Sequence, residues 1–407
     1  VSILQTTVPP LEKDKRVEDQ LLIGTNGQFS AALKINDKYY PITPTAFQDV
    51  RTTVNAMNHM PMLTMTCYDP LSRLTNELAT SGDDYSIGDG AKIEIAMGVS
   101  PSDDMLMRKY RLISTPRIKS SNNAPLVTIN AVLDNLKWWR GMPTGAYKGN
   151  STEAIKNIAL DCDAGVHLPH LTSDSMSWLS SHLTYSQLVN HITQHAWADD
   201  SSCMIGGMDE DRIYRFVDLS RIGQEKPTFK ICWLTEAKDK FDISALDVKV
   251  VTGGSSNLLG VYGSRLTSEQ QDGSALELDE VEVVKHGNFL DLNSESKKDV
   301  GVTRSRFMPP DAGNTHENYV RAKYQNERIG MTYKIHIDVY IEQVSGAGLF
   351  DVVELEMADT GSSGRQLNYS GIYFVTARVK GLNGGKYFEK LRLTTNSRNL
   401  NTTGKMT

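Results

Sequence analysis

Tyr369-Ser370-Gly371-Ile372-Tyr373-Phe374-Val375-Thr376 opens the stretch on which the reading of this chain turns. A turn follows at Asn383-Gly384-Gly385, and the chain returns as Lys386-Tyr387-Phe388-Glu389-Lys390-Leu391-Arg392-Leu393-Thr394. β-Branched and aromatic residues crowd both arms because they suit a pleated, half-buried surface. Asn-Gly supplies the backbone conformation that a tight hairpin needs. Strict alternation predicts a core face of Tyr373, Val375, Ala377 and Val379. Thr376, Arg378 and Lys380 then face water, with Lys390 and Arg392 offering a polar row on the return strand. Leu391 and Leu393 should pack against Val375 and Val379.

Outward from this hairpin lies a chain of 407 residues, long enough for about two to four domains. Hydrophobic residues make up 39% and charged residues 23%, the balance of a soluble globular protein. No apolar run reaches the roughly 18 to 20 residues that cross a bilayer. Val1-Ser2-Ile3-Leu4-Gln5 is too short for a signal-peptide core. Cys67, Cys162, Cys203 and Cys232 are scattered without CxxC spacing and read as reduced, buried thiols. The net charge of −6 resides in Leu266 to Val300, where nine acids meet three lysines. That segment reads as a solvated loop, or as an acidic surface that repels DNA phosphate. A basic stripe of the kind that binds nucleic acid is absent.

In chain order, residues 1–22 form an irregular N-terminal arm. Phe29 to Ile35, Asn36-Asp37 and Tyr39 to Ile42 form a hairpin. Leu71 to Ala79 is a short helix, and Gly88-Asp89-Gly90 a tight turn before the apolar face of Ile93, Ile95, Met97 and Val99. These elements belong to a first β-domain over 23–140. Gly141 to Ser151 is linker-like and opens an α/β insert over 141–235. There Ser151 is the expected N-cap of a helix carrying Ala154, Ile155, Ile158 and Ala159, and Thr184 with Gln187 fits a capping box. An intervening β region with the acidic segment spans 236–310. Pro309-Pro310 ends it, and Asn314 and Glu317 cap a helix through Ile329. The second β-domain spans 311–407, where Tyr333 to Ile341 alternates cleanly. Each end of the chain thus offers about four to six antiparallel strands with a short helix, enough for a small closed barrel.

Ser-Gly-x-Tyr-x-Val-Thr, the Gly turn and Tyr-x-x-x-Leu-x-Leu together resemble the closing hairpin of baseplate hub proteins of contractile phage tails, the late control D type. Gly88 to Ile95 is similar to the same family. So are Trp178, Trp197 and Arg212-Ile213-Tyr214-Arg215-Phe216-Val217-Asp218 of the insert. The resemblance covers most of the chain in order of elements, but the N-terminal arm and Leu266 to Pro310 match nothing in it. It implies a mainly β fold: two tail-tube-like antiparallel β-barrel domains with smaller domains inserted. It also implies a homotrimeric virion protein that adapts the tail tube to the central spike. Tube, spike, tape measure and other baseplate proteins would be its partners. DNA would pass through the lumen without sequence-specific binding. The protein would be made in the host cytoplasm and reside in the tail baseplate.

No catalytic, cofactor-binding or metal-binding residue is assigned, and no cofactor is expected. His191 and His195 stand at ligand spacing, but Ile192 replaces the glutamate of HExxH and no third ligand follows at standard spacing. His167, His170 and His182 are read as structural or surface residues. Gly253-Gly254-Ser255-Ser256 lacks the Gly-Lys-Ser/Thr of a phosphate loop. Gly361-Ser362-Ser363-Gly364 lacks the spacing of a nucleophile elbow. Asp209-Glu210-Asp211 lacks a calcium-loop pattern and reads as a solvated hairpin tip. Two other functions stay open: a tail-tip peptidoglycan or zinc hydrolase, and a tail tube or carbohydrate-binding β-protein.

Overall fold

The computed structural model describes residues 6–10, 23–24, 30–36, 38–40, 46–56, 60–80, 90–99, 106–113, 117–121, 124–180, 182–199, 202–235, 239, 242–252, 261–272, 275–280, 284–285, 302–308, 335–358, 369–383 and 386–395. The fold is mainly β, as the alternation predicts. Several expected features lie outside the described residues. They are Phe29, Gly88-Asp89, Gly253 to Ser256, Pro309 to Ile329, Gly361 to Gly364 and Gly384-Gly385.

The hairpin does organise the chain. Its first arm, the long strand Gly371–Asn383, has 13 residues and runs about 40 Å at the usual rise. One side pairs with the return strand Lys386–Thr395. The other side is shared. Gly371 to Phe374 pairs with Val352–Met357, while Ala377 to Asn383 pairs with Phe47–Asn55. A single strand therefore links two parts of one continuous path of paired strands, a first sheet and a second sheet.

The two halves of the long strand are separated by a bulge between Val375 and Ala377. The bulge corrects the predicted faces. Tyr373, Val375, Leu391 and Leu393 share a core as expected. Beyond the bulge the alternation inverts, because one extra residue in a period-two strand turns every later side chain over. Arg378 now lies opposite Leu391 and is buried, whereas Val379 lies opposite Lys390 and is half-buried.

The second sheet runs Ile243–Ser244, Phe229–Trp233, Val352–Met357, Gly371–Asn383, Lys386–Thr395, Ile335–Ile341, Asp247–Thr252. Only Ala245 and Leu246 separate its first strand from its last. Their amides donate to the carbonyls of Cys232 and Tyr340, each at 2.8 Å. One bent segment thus joins both ends of the sheet around Ile231, Ile337, Val339, Leu355 and Tyr373.

The first sheet continues from Phe47–Asn55 through Met62–Tyr68, Ala124–Leu133, Arg108–Leu112, Lys92–Gly98 and Ser30–Ile35. Leu63, Met65 and Cys67 alternate inward from Met62–Tyr68, and the helix Arg73–Thr80 adds Leu74 and Leu78 to the same core. All four cysteines are free and buried.

The insert carries helices Ser151–Asp161 and Tyr185–His195 beside a sheet of Thr6–Val8, Gly165–Leu168, Ile213–Asp218 and Met204–Met208. The Thr184–Gln187 capping box forms as expected. The first helix is capped by Asn150 rather than Ser151; the buried Ser151 hydroxyl donates instead to Asp174. Thr6–Val8 is a strand, not an irregular lead-in, because three residues are too few to show alternation. The acidic segment is likewise not all loop. Val261–Asp272 pairs with Ala275–Glu280, and also with Val302–Met308 in parallel.

Candidate functional site

The insert's hairpin, Met204–Met208 and Ile213–Asp218, points its turn into the junction of the two sheets. One glycine lets the hairpin pack on itself, and a second allows its approach to the junction. A Cβ on Gly206 would stand 2.2 Å from the Tyr214 hydroxyl oxygen, and one on Gly207 would stand 3.0 Å from Leu349 Cδ1. At the turn, Arg212 adopts φ 61, and its amide donates to the Asp209 carbonyl at 3.1 Å.

The tip is buried, which overturns its reading as solvated. Asp209 and Glu210 are only 2% and 3% exposed. Unpaired carboxylates there would cost several kcal/mol each, so the tip needs cations. The bulge delivers them by turning Arg378 and Lys380 inward. Arg378 Nη2 lies 2.9 Å from Asp209 Oδ1 and 3.1 Å from Glu210 Oε2, and its Nη1 donates to the Ala347 carbonyl. Lys380 Nζ reaches Glu210 at 3.2 Å, and the Thr52 hydroxyl donates to the same carboxylate at 2.5 Å. Arg215 pairs with Asp209 at 3.2 Å and Asp351 at 3.3 Å. Gly348 makes room for that guanidinium, since a Cβ there would stand 2.4 Å from Nη2.

Burial alone would raise both tip carboxylates. Lys380 and Arg378 outweigh it at Glu210, and Arg378 and Arg215 outweigh it at Asp209, so both sit below the usual carboxylate range. Burial raises Asp351, whose nearest help is the Gly348 amide. Tyr387 and Ser345 hydroxyls donate to Glu389, each at 2.5 Å, extending the polar network along the return strand. A cleft of about 100 Å³ opens beside it, lined by Thr52, Ile95, Arg108, Glu210, Lys380 and Tyr387. First sheet, insert and second sheet all meet there. The arrangement ties three units to one another through paired charges.

Four histidines of the insert make contacts within it or with the N-terminal strand. His170 Nδ1 accepts from the Asp218 amide at 3.2 Å. His167 Nδ1 and the Thr7 hydroxyl lie 3.0 Å apart. The His191 and His195 rings stand 4.3 Å apart, and Trp178 meets His191 edge-on. Among the described residues, no group of three His, Cys, Asp or Glu side chains is placed to hold a metal ion. No helix among them is long and apolar enough to cross a membrane.

Sequence reasoning missed the Asp209–Glu210–Arg378 cluster. The available signal was Gly206-Gly207 just before the acids, a mark of close backbone approach rather than of solvent.

No protein-family model matches the chain, and no curated protein sequence does. Solved structures do. The tail protein from Neisseria meningitidis MC58 is 10% identical, with 90% of this chain and 96% of that one covered and a TM-score of 0.55. The 43 kDa tail protein of prophage MuSo2 from Shewanella oneidensis is 8% identical, with 90% and 98% covered and a TM-score of 0.58. The fold described above, two fused sheets with a wedged insert, is thus the fold of these two tail proteins over nine tenths of the chain.

Proposed function

We propose that this chain is a baseplate hub, a structural virion protein that joins a tail tube to a central spike. The observation that carries the reading is the long strand Gly371–Asn383, which joins two β-sheet units. Two such units per chain and three chains per ring give six similar positions. That number meets a hexameric tube on one side and a threefold spike on the other. The likeness to two tail proteins along nearly their whole lengths supports a role in a tail. The buried cluster at the insert supports a mechanical rather than a catalytic part, since its charges neutralise one another. The tape measure protein ends in or passes through the lumen, and DNA follows it.

The test is the mass and symmetry of the assembled protein. Trimers whose electron-microscopy class averages show a threefold ring with six similar lobes are expected. A hexamer with one lobe pair per sixfold position would make it a tube protein. Turnover of peptidoglycan by the purified chain would make it a tail-tip enzyme.

A further inference from the structure

One face of the strand path is largely polar. From the long strand, Val379 lies beside Lys390 and Thr53, and Ala377 beside Arg392 and Asn55. The same face continues to Asp338 and Tyr340 in the second sheet, and to Thr64, Thr66, Thr128 and Asn130 in the first. It therefore runs unbroken across both sheets.

Several polar groups on this face pair with one another. Thr66 and Thr128 hydroxyls stand 3.2 Å apart, and Thr64 donates to Asn130 at 3.3 Å. Asp338 receives Lys390 at 2.7 Å and Arg392 at 2.8 Å. Arg392 binds it with both Nε and Nη2, the stronger, two-point form of the pair. In the first sheet Arg51 meets Asp49 at 2.7 Å. The exposures are unequal: Asp338 is 3% exposed, whereas the Arg392 side chain is 45% exposed. One shielded carboxylate holds two accessible cations. Burial alone would raise the Asp338 carboxyl, but the hydrogen bonds from Arg392 and Lys390 prevail and keep it below its usual range.

We propose that Asp338, together with Asp49, is a charge mask that keeps this face from holding duplex DNA. The purpose rests on the hub reading, in which the genome moves past the protein; the chemistry does not. Each lysine or arginine that meets a phosphate releases counterions and tightens binding. Lys390, Arg392 and Arg51 would supply such contacts on an otherwise smooth polar surface. Their partnering carboxylates occupy part of the donors and offset one of the two charges at Lys390 and Arg392 and the one at Arg51, so a phosphate gains less by approaching them.

The experiment compares assembled wild-type protein with Asp338→Asn and Asp49→Asn. The probe is a 30-base-pair duplex of arbitrary sequence, titrated from 50 to 200 mM salt. Asp338→Asn removes one negative charge and should steepen the slope of log affinity against log salt by about 0.9, a loss of roughly three- to fourfold across that range beyond the wild-type loss. Asp49→Asn unmasks one cation and should steepen the slope by about 0.9. Its carboxylate is partly exposed, so this variant keeps the test alive if Asp338→Asn does not fold. Adding Lys390→Gln and Arg392→Gln to Asp338→Asn should bring the slope back to the wild-type value or below it. Wild-type affinity and slope in the folded acid variants overturn the proposal, as does a gain that survives removal of the two cations. Ring symmetry is read separately, so a failed hub assignment shows in the particle and a failed mask in the titration.

Discussion

Replacing Arg378 with Met would test whether the insert is held by the buried cluster. Met fills much of the volume but offers no charge. Arg378 Nη2 serves both Asp209 and Glu210, so both lose a partner at once. Breaking a buried pair by removing one member costs about 3 to 5 kcal/mol, because a charge stays buried without compensation. Compensation here is partial. Asp209 keeps Arg215 and the Leu349 amide, and Glu210 keeps Lys380 and Thr52. The lower end, about 3 kcal/mol, is therefore expected. Urea unfolding followed by tryptophan fluorescence reads it out, with Trp138 and Trp178 reporting from the core that the first sheet and the insert share. Adding Glu210→Gln to Arg378→Met should recover part of the loss, giving a coupling of about 1 kcal/mol or more. Arg392→Met is the control: its partly exposed pair should cost less than about 1 kcal/mol. An Arg378→Met protein within about 0.5 kcal/mol of wild type, in the range of ordinary surface changes, would refute the argument that the tip needs this cation.

Three further outcomes follow from the same geometry. Ending the chain after Gly381 removes Leu391 and Leu393 from the second core, at about 1.5 to 3 kcal/mol each, and should abolish assembly as read by sedimentation. Gly381→Ala would place a Cβ 2.7 Å from the Val50 carbonyl oxygen, a backbone atom that cannot step aside; about 1 to 3 kcal/mol of stability should be lost in a denaturant titration. Burial holds His170 below its ordinary value of 6.5, so the unfolded chain takes the proton first as pH falls. Stability should be full above pH 6.5 and decline below it, and His170→Gln should flatten that decline in a pH series of melts.

The sequence spoke clearly wherever a strand keeps its period. Ile335 to Ile341 and Met62 to Tyr68 place their apolar residues inward as alternation demands. The capping box at Thr184 was equally legible, since both of its bonds are local. Arg378 was not, because a bulge is a property of two paired strands and neither strand announces it alone. Asp209 and Glu210 were misread for a related reason. Their partners lie roughly 170 residues away, and a local reading of three acids between strands finds only a polar turn. The junction of the two sheets was hidden too, because Phe47–Asn55 and Gly371–Asn383 each read as an ordinary strand.

The shared strand also sets a clock on synthesis. Val54 cannot meet Arg378 until roughly 300 intervening residues have left the ribosome, which at roughly 5 to 20 residues per second takes about 15 to 60 s. During that interval Phe47–Asn55 is an open template for any passing chain, because its eventual neighbour does not yet exist. Contacts this distant in sequence make folding slow whatever the final stability. A nascent chain of this design therefore depends on what shelters that strand until translation ends, and its yield in a foreign host should follow chaperone supply more closely than it follows the melting temperature of the finished protein.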